Sequence, residues 1–245
     1  MTSPMHIRLA ATLGLSGLIA LACGGAALEA TSPAAPGSSA TSTAPATAPV
    51  ASPAATLAPT SSAGGGLWTV TDKSRATVRV REQLVGVSFP SDAVLVATGA
   101  TGSFQLNDDG TFSPDSRISF DIATLRSDES ARDNFVKQDT LAVRRFPKAE
   151  LVPTKASGLT LPLATSGQFT FTLAGKMTVH GTEHEVTFDV QAKRDGAELN
   201  AIATANPPLR FGDFGMSVPA VPFRVVSVVD EIRLVVEIVA AGPRS

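Results

Sequence analysis

One short segment of the sequence carries the residue types of a zinc peptidase. His180, Glu183 and His184 spell H-x-x-E-H, a pattern in which two histidines bind zinc and the glutamate activates water. That chemistry needs a helix, because a helix brings the two histidines to one face about one turn apart. Gly181 instead lies between two runs of alternating apolar residues, which favours a hairpin turn. A zinc hydrolase is therefore the weakest of the functions considered.

A second motif, Asp213-Phe214-Gly215, spells the magnesium-binding segment of protein kinases. The sequence lacks the His-Arg-Asp segment and the glycine-rich loop that complete the kinase signature. We therefore interpret Asp213 and Gly215 as residues that shape a bulge, with Phe214 pointing inward. No G-x-S-x-G elbow supports a serine nucleophile. We assign no catalytic residue and no metal ligand, and we expect a protein that is not an enzyme.

The neighbouring charges of Arg132 and Asp133 leave two interpretations open. They could contact the polar end of a ligand, or they could form a buried ion pair that fixes a helix against the rest of the domain. Paired buried charges usually have a structural role, which favours the second interpretation.

The only cysteine of the chain, Cys23, follows a segment typical of export. Residues 1–22 contain a weakly basic start and a short apolar run, as in a signal peptide. Ala20-Leu21-Ala22-Cys23 resembles the lipobox of bacterial lipoproteins, although leucine is commoner than alanine at the position of Ala20. We predict lipidation of Cys23 and an extracytoplasmic protein anchored to the bacterial cell envelope. An ordinary signal peptide cleaved elsewhere, or an uncleaved anchor, stays open.

Residues 23–66 are mostly Ala, Pro, Ser, Thr and Gly. Such a composition buries too little apolar surface to offset chain entropy, so we predict a disordered spacer. Its prolines favour extended segments with a total reach on the order of 100 Å. We place the folded domain at residues 67–241.

That domain is predicted to be all-β, because apolar and polar residues alternate in short runs separated by turn residues. Val78 and Val80 begin this pattern, and Asn107–Gly110 and Asp195-Gly196 have the composition of turns. About eight such strands describe an antiparallel sandwich or barrel. Residues 127–137 do not alternate, and we predict a short helix there that is capped by Ser127.

The composition indicates an apolar interior. Charged residues make up 17%, the formal net charge is -2, and no basic cluster marks a nucleic-acid surface. Twelve Phe and no Tyr place most aromatic mass in side chains without a polar group. The candidate core and ligand-binding residues are Phe104, Phe120, Ile122, Phe169, Phe171, Val179, Phe188 and Phe214. Periodicity does not decide whether a barrel of this size is filled or hollow.

Four ordered motifs of the chain resemble those of the YceI-like family of bacterial extracytoplasmic proteins. They are Ile122–Asp128 followed by Arg132-Asp133, Phe146–Leu151, Gly175–Thr182 with methionine in place of the usual leucine at 177, and Phe211–Gly215. The resemblance implies an eight-stranded antiparallel lipocalin-like barrel with one or two short helices. It also implies a channel that holds an isoprenoid, quinone-like or fatty-acyl molecule. His180 would then form structural hydrogen bonds near the barrel mouth, with Asp213 also at the rim.

Three functions follow, in decreasing order of support. The first is a lipid-anchored protein that binds an apolar lipid, and the second is a ligand-free envelope or stress-response scaffold. The third is the zinc hydrolase. The expected partners are the lipid and, through the anchor, a membrane, with no nucleic acid and no further cofactor. A homodimer is left open.

Overall fold

The computed structural model describes residues 66–242. The signal peptide and nearly all of the spacer therefore lie outside the described residues, and those predictions remain untested. The described part contains ten strands: β1 Trp68–Val70, β2 Arg75–Leu84, β3 Ser91–Ala97, β4 Thr101–Phe104, β5 Arg117–Asp121, β6 Lys148–Ser157, β7 Ser166–Val179, β8 Thr182–Asp195, β9 Glu198–Ala205 and β10 Val225–Ala241. A single α-helix, α1, spans Ser130–Phe135 and continues as a π-helical turn over Val136–Thr140, and 3₁₀ turns occupy Ile122–Thr124 and Gly212–Phe214.

The strands form one closed antiparallel barrel. Their order is β1-β4-β5-β6-β7-β8-β9-β10-β2-β3, and β1 also pairs with β10, which closes the ring. Both β1 and β2 pair with β10, so together they act as one barrel strand that is interrupted between Val70 and Arg75. In the same way β3 pairs with β2 and β4 pairs with β1. The result is an eight-stranded barrel with one short α-helix, which confirms the predicted fold class.

Alternation along the strands places one apolar row inside the barrel. On β8 the buried residues are Val186, Phe188, Val190 and Ala192, whereas the residues between them are exposed or half-buried. Strand β10 repeats this pattern from Ile232 to Ala240. Closure pairs most strands on both sides, which removes most of the edge that favours aggregation. Strand β3 is the exception, because it pairs only with β2 apart from one bridge between Val96 and Arg126.

The pairing registers define two ends of the barrel. We call one the termini end, because Trp68 and Ala241 both lie there, beside the turn between β8 and β9. The Arg194 guanidinium covers the Trp68 ring at 5.1 Å from its centroid. We call the other the helix end, because it carries α1 together with the β2–β3 loop, the β7–β8 turn and the segment that leads into β10.

The β7–β8 turn shows why the H-x-x-E-H segment is not helical. His180 and Gly181 both have positive φ, 53° and 75°, as a two-residue type I′ hairpin turn requires. A Cβ added at Gly181 would collide with the ring of Phe146. Glycine is therefore needed here both for its backbone conformation and for the close approach of the β5–β6 connection.

Two local predictions were wrong. The cap of α1 is Glu129, whose side chain accepts a hydrogen bond from the Ala131 N–H, because the helix begins three residues later than expected. Residues Asp213 and Gly215 belong to a 3₁₀ turn that ends in left-handed Gly215, not to a bulge. Phe214 does point inward and is buried.

No helix within residues 66–242 combines the length and the apolar character that crossing a membrane requires.

Candidate ligand cavity

An elongated cavity of about 790 Å³ occupies the barrel. Its wall includes Trp68 and Leu199 near the termini end and Leu84 and Arg132 near the helix end, so it extends along most of the barrel axis. Nearly all of the lining is aliphatic or aromatic. Such a volume lies within the range of pockets that hold small organic ligands.

All eight predicted ligand-binding residues lie on the cavity wall, but not in equivalent ways. Phe188 and Phe214 are 0% and 1% exposed, so their rings are packed on every side and form the solid part of the wall. Phe104, Phe169 and Phe171 are only partly buried and lie on the same wall. We expect the second group to offer more surface to a ligand than the first.

Several wall residues were not singled out from the sequence. They include small or aliphatic residues of β2, β3, β9 and β10, among them Val78, Leu95, Ala201 and Leu234. Their alternation marked them as inward-facing, but an inward residue of a packed core has the same sequence pattern. The sequence therefore indicated the large aromatic residues of the wall. It did not indicate the small residues, whose short side chains leave room for the cavity.

One polar cluster interrupts the apolar wall at the helix end. Glu82 occupies an inward position of β2, and its Oε1 accepts a hydrogen bond from Arg132 Nη2 of α1 at 2.8 Å. Their side chains are only 8% and 19% exposed. Arg132 also pairs with Asp128. Burial would lower the pKa of Arg132, but the hydrogen bond to Asp128 and the charge of Glu82 outweigh it and raise that pKa, so the guanidinium stays charged.

Arg132 and Asp133 do not pair with each other. The Asp133 carboxylate accepts hydrogen bonds from the Ser127 N–H at 2.8 Å and the Ser127 hydroxyl at 2.7 Å. Asp133 therefore fixes the turn before α1, whereas Arg132 fixes α1 to the barrel through Glu82. The helix is thus joined to the barrel by an ion pair, but the acidic partner of Arg132 is Glu82, which is distant in the sequence, and not the adjacent Asp133.

The three residues of the H-x-x-E-H motif point to different neighbours. The His180 ring packs edge-on against Phe146 with centroids 5.0 Å apart, and no hydrogen bond of its side chain is found among residues 66–242. The structural hydrogen bond expected of His180 stays a prediction. Glu183 pairs with Lys176 at 2.9 Å. The His184 ring packs against Phe214.

In the described part of the chain no three His, Cys, Asp or Glu residues are placed to hold a metal ion.

Asp213 stabilises the turn in which it lies. Its Oδ2 accepts a hydrogen bond from the Arg210 N–H at 2.7 Å and lies 4.0 Å from His184 Nε2. Both groups lie at the helix end of the barrel.

The fold and the cavity define a class: a closed antiparallel β-barrel built around a long apolar cavity. Within that class, a family model described as a YceI-like domain matches residues 68–240. The chain belongs to the YceI-like family, which confirms the resemblance seen in the four sequence motifs. No curated protein matches the chain at a significant level.

Solved structures share this fold at low sequence identity. A polyisoprenoid-binding domain from Saccharophagus degradans, implicated in plant cell wall breakdown, is 8% identical with a TM-score of 0.53, and the match covers 72% of this chain and 98% of that one. BcnA from Burkholderia cenocepacia is 15% identical with a TM-score of 0.50, covering 69% of this chain and 97% of that one. At these identities the likeness concerns the fold alone.

Proposed function

We propose that the barrel binds one elongated apolar molecule, of the isoprenoid, quinone-like or fatty-acyl class, and that it acts as a binding protein rather than as an enzyme. The observation that carries the proposal is the apolar cavity of about 790 Å³ along the barrel axis. Each Å² of hydrocarbon removed from water contributes about 25 cal/mol, so such a cavity needs few polar groups to bind a lipid. The polyisoprenoid-binding domain of similar fold supports the ligand class.

The polar cluster of Glu82, Arg132 and Asp128 supports one orientation of this ligand. It is a connected group of charges on a mostly apolar wall, and it lies at the helix end. A lipid with one polar end loses least solvation when that end lies at such a cluster and its hydrocarbon extends toward Trp68.

Extraction of the purified full chain with organic solvent tests the ligand proposal. We expect mass spectrometry to find about one apolar lipid per protein, because an empty apolar cavity of this size would leave much of its surface in contact with water or vacuum. Protein without extractable lipid that also fails to bind a fluorescent fatty-acid probe would contradict the proposal. That result would favour the alternative of a ligand-free scaffold.

We further propose that Cys23 carries the lipid anchor that holds the domain to the cell envelope. The support is the small-residue segment before Cys23 and the spacer of residues 23–66. Replacing the thiol in Cys23→Ser removes the acylation site, so we expect this variant to leave the membrane fraction and lose the mass of its acyl chains. Adding Ser88→Cys to Cys23→Ser places a single thiol in the domain. This control tests whether membrane association needs the thiol at position 23 rather than a thiol anywhere in the chain. Unchanged fractionation of Cys23→Ser, with no lipid mass on the wild-type chain, would exclude the anchor.

A further inference from the structure

An exposed apolar surface surrounds the mouth of the cavity at the helix end. Nine large apolar side chains of residues 66–242 are exposed. Seven of them lie in the β2–β3 loop, in the segment that leads into β10 or in the first residues of β10 itself. We call these seven the apolar rim: Val85, Val87, Phe89, Val218, Phe223, Val226 and Val229. Phe223 and Phe89 are the most exposed of them, at 95% and 79%. Contiguous exposed patches of this kind mark sites of interaction.

The rim is one structure rather than a set of scattered residues. The Val85 N–H donates to the Arg224 carbonyl oxygen at 3.0 Å, and Leu84 pairs with Val225 across the strands. These bonds hold the β2–β3 loop beside the segment that carries Phe223. Phe223 has a φ of 65°, which is unfavourable for an aromatic residue and is maintained here by the surrounding chain.

The rim is continuous with the interior. Val85, Val87 and Phe223 are exposed to solvent and also line the cavity. An apolar molecule that leaves the cavity at this end therefore passes from apolar wall to apolar rim. If the rim faced water, the molecule would have to cross an aqueous gap at a cost of about 25 cal/mol per Å² of its hydrocarbon surface.

We propose that the apolar rim inserts into the surface of a lipid bilayer, so that the cavity exchanges its occupant directly with the membrane. This inference rests on the proposed function, because it assumes an apolar ligand. Aromatic and aliphatic side chains that enter the acyl boundary gain the same burial energy as in a protein core. The seven rim side chains are all uncharged, and one cation, Arg224, lies directly beside Phe223. Apolar contact is therefore expected to contribute more than charge to the docking.

The length of the chain before the barrel permits this orientation. The chain enters the barrel at Trp68, at the termini end and therefore opposite the rim. Strand β8, of 14 residues, is about 46 Å long at ~3.3 Å per residue. The composition of residues 23–66 predicts a reach on the order of 100 Å for the segment before the barrel. A domain tethered through Cys23 can therefore turn its far end toward the same membrane.

Fluorescence quenching by labelled lipids tests which end of the barrel meets the bilayer. The full chain with Cys23→Ser has no other thiol, so Ser88→Cys beside Phe89 and Ser166→Cys at the termini end each accept one fluorescent label. Both serines are exposed, which makes them a matched pair. With phosphatidylcholine vesicles that contain brominated lipid, we expect severalfold stronger quenching at position 88 than at 166, with little change at high salt.

The rim residues are then varied in the Ser88→Cys background. Phe89→Ser with Phe223→Ser removes two aromatic anchors, and we expect the vesicle concentration for half-maximal quenching to rise about a hundredfold, or about tenfold per ring. Ile202→Ser is the control, because Ile202 is 51% exposed but lies on β9 away from the rim. It should leave the quenching unchanged.

Equal quenching at positions 88 and 166, or none at either, would overturn the proposal. So would self-quenching at 88 that rises with protein concentration without vesicles, since it would assign the rim to a second copy of the chain. None of these readouts requires a bound ligand. An empty cavity with quenching at 88 would therefore contradict the proposed cargo and leave the docking surface standing.

Discussion

Replacing Ala201 by tryptophan should weaken binding of an apolar ligand nearly a hundredfold while the barrel still folds. Ala201 lies on β9 with its side chain on the cavity wall, opposite Ile238 and Ala192 of the two flanking strands. An indole at this position would fill the part of the cavity toward the termini end. Displacing about 100 Å² of ligand contact costs about 2.5 kcal/mol, which corresponds to nearly a hundredfold weaker binding. Titration with a fluorescent fatty-acid probe measures the loss.

The adjacent position provides the control for Ala201→Trp. Ile202 belongs to the same strand but faces solvent, so Ile202→Trp places the same indole outside the barrel. We expect its affinity for the probe to match that of the unmodified chain. Equal affinity in both variants, with melting temperatures that show both to be folded, would mean that the ligand does not occupy the barrel interior.

Removing the positive charge of Arg132 should produce the largest loss of stability from a single charged residue. Arg132→Met keeps the length of the side chain but leaves the Glu82 carboxylate buried without its partner. Breaking one partner of a buried pair typically costs 3–5 kcal/mol. Because Arg132 retains some exposure, we expect about 2–4 kcal/mol, measured as a lower midpoint of urea unfolding.

A second variant separates this effect from a loss of packing. Glu82→Leu together with Arg132→Met replaces the whole pair by apolar residues, and we expect it to recover most of the lost stability. The exposed pair of Arg75 and Glu237 is the matched control, and Arg75→Met should shift the midpoint of urea unfolding far less than Arg132→Met. If Arg75→Met and Arg132→Met were equally destabilising, burial of the Glu82 pair would have no energetic consequence.

The strands were predictable because their periodicity records which face each one buries. The alternation in β8 and β10 and the glycine turns at Gly110 and Gly196 correctly indicated an antiparallel all-β domain. The closure of the ring was not visible in the residues themselves. It depends on the pairing of β1 with β10 across the whole domain, and only the family resemblance anticipated it.

The candidate site was predictable in its composition but not in its contacts. The phenylalanines of β5, β7 and β8 were found because large aromatic side chains in alternating runs face inward. The partner of Arg132 was missed because Glu82 is separated from it by about fifty positions and lies in a strand that otherwise alternates normally. Adjacency in the sequence suggested Asp133 instead. The cavity itself could not be predicted from the sequence. It depends on small inward-facing residues such as Ala201, and these are equally compatible with a packed core.

The pairing of the first and last strands determines when, during folding, the cavity becomes complete. The Thr71 hydroxyl bonds to the Val239 carbonyl oxygen, 168 positions later, and the whole of β2 pairs with β10. Contacts between residues so far apart in the sequence form late and slowly, because closing the long loop costs entropy before the contacts contribute any stability. The cavity has no complete wall until the C-terminal strand has been synthesised and has docked. We therefore expect the proposed ligand to load only after β10 has docked.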